Sequence, residues 1–243
     1  MADRTGRSGR VDRLPAKTMA IPQMLLPPRI LIVAVALGGV VGCSSPPQSL
    51  QLADFESFPE DIAFEETEAG VILAAAGGRG YLATRERFGD AVVSLEYRWP
   101  LPSSGVAGST VEVEPPSNPN TGLLLLIAEE DRVWPVCIEA QGKYEEMAEL
   151  KSNGGLEAVT SKIDTPRRDR VRRPVGQWNQ LVARIEEGRI RVQLNGVPVA
   201  ESDTAGLTSG RIGLQSEGDE VEFRHVTVQR LGEVEASPGQ TTE

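Results

Sequence analysis

Histidine is nearly missing from this chain, which carries one, His225, and only two cysteines, Cys43 and Cys137, in 243 residues. That scarcity excludes a multi-histidine metal site and leaves any Cys/His catalytic pair one histidine, remote in sequence from both thiols. A carboxylate-bound calcium stays open, since acidic side chains are plentiful. Positive charge is outnumbered once the N-terminus is passed. Arg4, Arg7, Arg10, Arg13, Lys17 and Arg29 precede Cys43 with only Asp3 and Asp12 against them, so the remainder is more acidic than the overall net charge of −10. An acidic folded part argues against nucleic acid or an anionic membrane surface as its partner; a neutral ligand suits it better. The cluster Gly77-Gly78-Arg79-Gly80 precedes no helical pattern, so it is not a phosphate loop. No internal repeat stands out. Apolar residues, at 40%, suffice over this length for one sizeable domain with a real core.

Residues 30–42 form an uncharged apolar run, too short to span a bilayer and matched in length to a signal-peptide core. The run ends in Val40-Val41-Gly42-Cys43, which resembles the bacterial lipoprotein signal, the lipobox. That resemblance implies an acylated Cys43 as the mature N-terminus, with membrane contact through the lipid alone. Residues 1–42 are then a signal peptide with a long basic opening, and Met19 or Met24 are alternative starts that keep Arg29 as the positive region. Ser44 stands where an aspartate holds lipoproteins in the inner membrane of some bacteria, which points to a cell-envelope location at the outer membrane. Residues 43–53 read as a tether, 54–231 as the folded domain and 232–243 as a frayed tail. Cys137 is left alone in an oxidising compartment, where a lone buried thiol is inert packing rather than a nucleophile.

Within the folded part, Trp134-Pro135-Val136-Cys137-Ile138-Glu139-Ala140-Gln141 reads as a strand. At period two, Trp134, Val136, Ile138 and Ala140 share one face, and Cys137, Glu139 and Gln141 share the other. An acid and an amide on one face of an apolar strand cost free energy if buried alone, so a polar network satisfies them or they line a cavity. From the pattern alone the satisfied network is the commoner outcome. Residues 91–99 alternate as cleanly, with Val93, Leu95, Tyr97 and Trp99 opposite Ser94, Glu96 and Arg98; Glu96 and Arg98 are a same-face polar pair. Residues 100–119 are a Pro-, Ser- and Gly-rich loop of the kind that frames sites. Residues 123–127 are apolar on both faces, 143–150 suggest a short helix, and the basic cluster 167–173 reads as a solvated loop. Asn195-Gly196 is a two-residue hairpin turn. Leu124, Ile138, Val182, Val192 and Leu214 are expected in the core. Short strands at this spacing, with turns and no long helix, predict an all-β fold, an antiparallel β-sandwich.

Several short motifs occur in an order that resembles the 3-keto-disaccharide hydrolase domain family. They are Tyr81-Leu82-Ala83-Thr84, Phe88-Gly89-Asp90, Leu95-Glu96-Tyr97-Arg98, Asn120-Thr121-Gly122, Trp134-Pro135 with Ile138-Glu139-Ala140-Gln141, Gly176-Gln177-Trp178-Asn179, Leu194-Asn195-Gly196, Gly210-Arg211-Ile212-Gly213-Leu214-Gln215 and Val221-Glu222-Phe223-Arg224. The resemblance spans about residues 70–231 and implies a concanavalin A-like jelly roll with sugar on its concave face. This chain departs from the family pattern in four places. Residues 54–70 are acidic and lack a tryptophan, and residues 123–127 lack an arginine. Gly154-Gly155-Leu156 replaces a Gly-Asp, and His225 follows Phe223-Arg224 in place of an asparagine. The lost acid and arginine bear on turnover more than on fold.

In the chemistry this family implies, a ketone at C3 of a sugar acidifies the C2 hydrogen. A base removes that hydrogen, and the enolate expels the C1 substituent. The resemblance casts Glu139 as base, Gln141 and Arg98 as polar donors, Glu96 as partner of Arg98, and Trp134 or Trp99 as a sugar platform, with no resident cofactor. On a strand beside an arginine, Glu139 is expected to stay ionised. Convergence of Glu139, Gln141, Glu96 and Arg98 on one pocket would mark a glycoside-cleaving enzyme; their divergence would leave a non-catalytic carbohydrate-binding or envelope-interaction module.

Overall fold

The computed structural model describes residues 45–101, 116–128 and 132–232. The expected signal segment, Cys43 and residues 233–243 lie outside them. Among the described residues every strand pairing is antiparallel, and the strands form two sheets. In chain order the strands are β1 (Gln48–Ser49), β2 (Phe55–Phe58), β3 (Phe64–Glu66), β4 (Ile72–Ala74), β5 (Arg79–Thr84), β6 (Ala91–Arg98), β7 (Thr121–Ile127), β8 (Cys137–Gln141), β9 (Leu150–Asn153), β10 (Ser161–Ile163), β11 (Asn179–Glu186), β12 (Arg189–Leu194), β13 (Val197–Ser202), β14 (Arg211–Glu217) and β15 (Val221–Arg230). A nine-stranded sheet runs β10-β13-β12-β11-β6-β15-β4-β3, with β1 added beside β15. A six-stranded sheet runs β2-β5-β14-β7-β8-β9. This is the β-sandwich that the strand spacing predicts.

Alternation along the strands builds the core between the sheets. Val93, Leu95 and Tyr97 of β6, with Leu181, Ala183 and Ile185 of β11, face Leu123 and Leu125 of β7, Ile138 and Ala140 of β8, and Leu214 of β14. Leu124, Ile138, Val192 and Leu214 are fully buried as expected. Val182 is not, because Asn179 is drawn inward and fixes the odd-numbered residues of β11 as the buried set. Leu124 is buried on the opposite side of its sheet from Leu123, in a second apolar cluster with Tyr81, Ala83, Ile127 and Cys137. The six-stranded sheet therefore carries buried apolar residues on both faces.

Three local expectations change. The fold starts earlier than residue 54, since Gln48-Ser49 pairs with Val228-Thr227 and Leu50 is buried. Residues 143–150 form a single 3-10 turn, Tyr144–Glu146, before β9 rather than a helix. The basic cluster becomes helix α1 (Thr165–Val171), opened by the Asp164 side chain, which accepts from the Arg167 amide. Arg168 in it is buried and donates to Glu149 and Asp169, both at 2.9 Å. Asn195 and Gly196 both adopt positive φ, 50° and 81°, as a two-residue hairpin demands.

Candidate active site

Register places the candidate residues. On the outer face of the six-stranded sheet, Gln215 of β14 lies between Tyr81 of β5 and Gly122 of β7, and Gly122 in turn lies beside Gln141 of β8. In the next row Ala83, Gly213, Leu124, Glu139 and Lys151 follow one another across β5, β14, β7, β8 and β9. One row further, Cys137 opposes Asn153. The face that carries Cys137, Glu139 and Gln141 is thus the one expected, and all three are buried.

Glu139 is 4% exposed and holds the centre of this face. Its Oε2 accepts from Asn153 Nδ2 at 2.6 Å, while its Oε1 has no hydrogen-bond partner among the described residues. Burial pushes its carboxyl up from the ordinary 4.5 to about 7; Glu217 and Glu146 add to the rise, and the Asn153 bond and Lys151 oppose it. The expectation of an arginine-held, fully ionised carboxylate is overturned. Gln141 is held by a bond its Oε1 accepts from the Lys143 amide at 2.7 Å. Cys137 is a thiol, pushed up to about 12 by burial and the neighbouring Glu139, and it stands on a different sheet from exposed His225.

Glu96 and Arg98 do not join this face. Both lie on β6 in the other sheet, where the inward positions are Leu95 and Tyr97. They point away from the six-stranded sheet. They do not pair with each other either: Arg98 bonds Glu222 at 2.5 Å, Arg224 bonds Glu96 at 2.6 Å, and both guanidinium groups lie over Trp178, at 4.6 and 4.0 Å. Trp99 is 1% exposed and packs edge-on against Tyr97 at 5.4 Å, so it offers no platform. Trp134 lies outside β8, in the bend before it, and is 47% exposed. Of the two tryptophans it alone is open to a ligand. Among the described residues no three His, Cys, Asp or Glu side chains gather to hold a metal, so the open calcium expectation finds no carboxylate cluster there.

Sequence reasoning missed three contributors. Asn153 carries no motif, Gln215 closes a strand motif without revealing its direction, and Gly122 reads as a turn residue. A Cβ on Gly122 would stand 2.5 Å from Glu139 Oε1 and 2.7 Å from Gln215 Oε1. Toward β2 the same face reaches a cavity of about 730 Å³, lined in part by Phe58, Tyr81, Glu56, Arg85 and Arg211.

A family model described as a 3-keto-alpha-glucoside-1,2-lyase-like domain matches residues 51–229. The chain belongs to that family. A crystal structure of a candidate glycosyl hydrolase from Parabacteroides distasonis superposes on this member with a TM-score of 0.56 at 19% identity, covering 77% of this chain and all of that one. A Bacillus subtilis protein of unknown function with a galectin-like fold gives 0.53 at 13% identity, covering 78% and 96%. At such identities the likeness extends to the fold: a galectin-like jelly roll. No curated protein matches the chain.

Proposed function

We propose that this lyase-like domain binds a 3-keto-glycoside on the outer face of its six-stranded sheet and cleaves it with Glu139 as general base. The observation that carries the proposal is the state of Glu139: buried, held by Asn153 through one oxygen, its other oxygen without a partner among the described residues, and poised near neutrality. Oε1 takes the hydrogen from C2, the electron pair forms the C1–C2 double bond, and the C1–O bond breaks. The departing oxygen takes up the proton that Glu139 has acquired, which returns the carboxylate to its starting state. Asn153 orients the carboxylate, and the residues around Glu139 keep water from it. The cavity beside β5 and β2 lies three strands away, roughly 14 Å, and accommodates the C1 substituent or a second sugar.

A binding-only reading is favoured by one observation: the Glu96–Arg98 region lies on the other sheet, so the site lacks the arginine donor that the family chemistry suggested. The two readings separate in one assay. Wild-type protein should release the aglycone from 3-keto-glucosides, and Glu139→Gln should lose at least about 100-fold of that rate while still binding. Binding without any turnover by wild-type protein leaves the non-catalytic module. The same reading puts the domain in the cell envelope, held by lipid on Cys43. Cys43→Ser should then release it from the membrane fraction or leave it as unprocessed precursor; a processed variant that stays membrane-bound would end the anchoring proposal.

A further inference from the structure

Two buried acceptors meet over Gly122. Glu139 Oε1 and Gln215 Oε1 both lean into the space that a side chain at residue 122 would take, and neither has a hydrogen-bond partner among the described residues. Gln215 is 3% exposed and Glu139 4%. Their positions follow from the register, which sets Gly122 beside Gln215 on β14 and beside Gln141, two residues from Glu139, on β8. With Glu139 ionised, as a base must be, two converging oxygens with no proton between them are unfavourable in a buried site, so in that state the pair calls for a donor from outside. Gly122 is what lets them converge. Its backbone is ordinary extended strand, so the absent side chain serves space rather than conformation.

We infer that Gln215 is a specificity-determining residue that accepts a hydrogen bond from the hydroxyl on C2 of the sugar. This rests on the cleavage reading above and deepens it. The carbon that loses its hydrogen to Glu139 also bears a hydroxyl. An acceptor fixed on the other side of Gly122 takes the O2–H and thereby turns the C2–H toward Glu139 Oε1. A sugar without that hydroxyl leaves Gln215 Oε1 unpaired, a penalty a buried acceptor imposes in full. The site is expected to select a free 2-hydroxyl and to reject 2-deoxy substrates.

The test uses binding, so it does not depend on turnover. The probes are a 3-ketoglucose bearing a methyl group on C1 through carbon, which has no group to expel, and its 2-deoxy analogue, both followed by titration calorimetry. Wild-type protein should bind the 2-hydroxy probe about 10-fold or more tightly than the 2-deoxy probe. Gln215→Leu should bind both equally, at the 2-deoxy level. Gly122→Ala should stay folded, because the new Cβ meets only side-chain tips, and should lose the discrimination by forcing the two oxygens apart. Equal binding of both probes by wild-type protein, no binding of either, or a Gly122→Ala variant that discriminates as before would overturn the inference. So would equal weakening of both probes by Gln215→Leu, which would make Gln215 a structural partner of Glu139. Discrimination without turnover of a true glycoside would leave this inference standing and remove the cleavage reading alone.

Discussion

The perturbation with the clearest signature is Glu139→Gln followed across pH. Burial raises the Glu139 carboxyl from 4.5 to about 7, so between those values the native chain holds a proton that the unfolded chain has lost. Its contribution is fully present below the unfolded value and is lost as pH rises through the folded one. The gap corresponds to about 3 kcal/mol. At 4% exposure, solvent gives it little relief. Glutamine keeps the shape, can still accept from Asn153, and brings an amide donor toward Gln215 Oε1, with no charge to desolvate. Urea unfolding of both proteins at pH 4.5, 6, 7 and 8 isolates this group, because the other titrations cancel in the difference. The two should be nearly equal in stability at pH 4.5. The glutamine variant should gain steadily through pH 6 and 7, and lead by about 3 kcal/mol at pH 8. A difference that stays constant within about 0.5 kcal/mol over the whole range would refute the buried, half-protonated acid. It would leave Glu139 an ordinary solvated carboxylate.

Other perturbations test the architecture. Arg168→Met removes the guanidinium that satisfies Glu149 and Asp169 and should cost about 2 kcal/mol in urea unfolding, discounted because both partners are partly exposed. Leu214→Ala and Ile138→Ala should each cost about 2–5 kcal/mol, whereas Val182→Ala, on the outer face of β11, should cost under about 1 kcal/mol. Arg98→Gln breaks an ion pair on the far sheet and should change the rate on 3-keto-glucosides by no more than about twofold. A loss comparable to that of Glu139→Gln would return Arg98 to the site.

What the sequence disclosed and what it hid divide along one physical line. Period two within a strand is local, so the pattern correctly puts Leu95 and Tyr97 on one face of β6 and Glu96 and Arg98 on the other. Which sheet a strand joins is not local. Residues i and i+2 lie farther apart along a strand than directly opposed residues lie across two strands, so an acid pairs across before it pairs along. Glu96 therefore finds Arg224 and Arg98 finds Glu222, each more than a hundred residues away. The same rule hid Asn153 and Gln215 from Glu139. Yet the position of the acid itself is tightly specified. A slip of β8 by one residue against β7 would turn Ile138 and Ala140 out of the main core and carry Glu139 into it. The apolar half of the strand, which faces the core, is what aims the carboxylate, so mutations that loosen the core at Ile138 should dull the pH signature of Glu139 as well as lower stability.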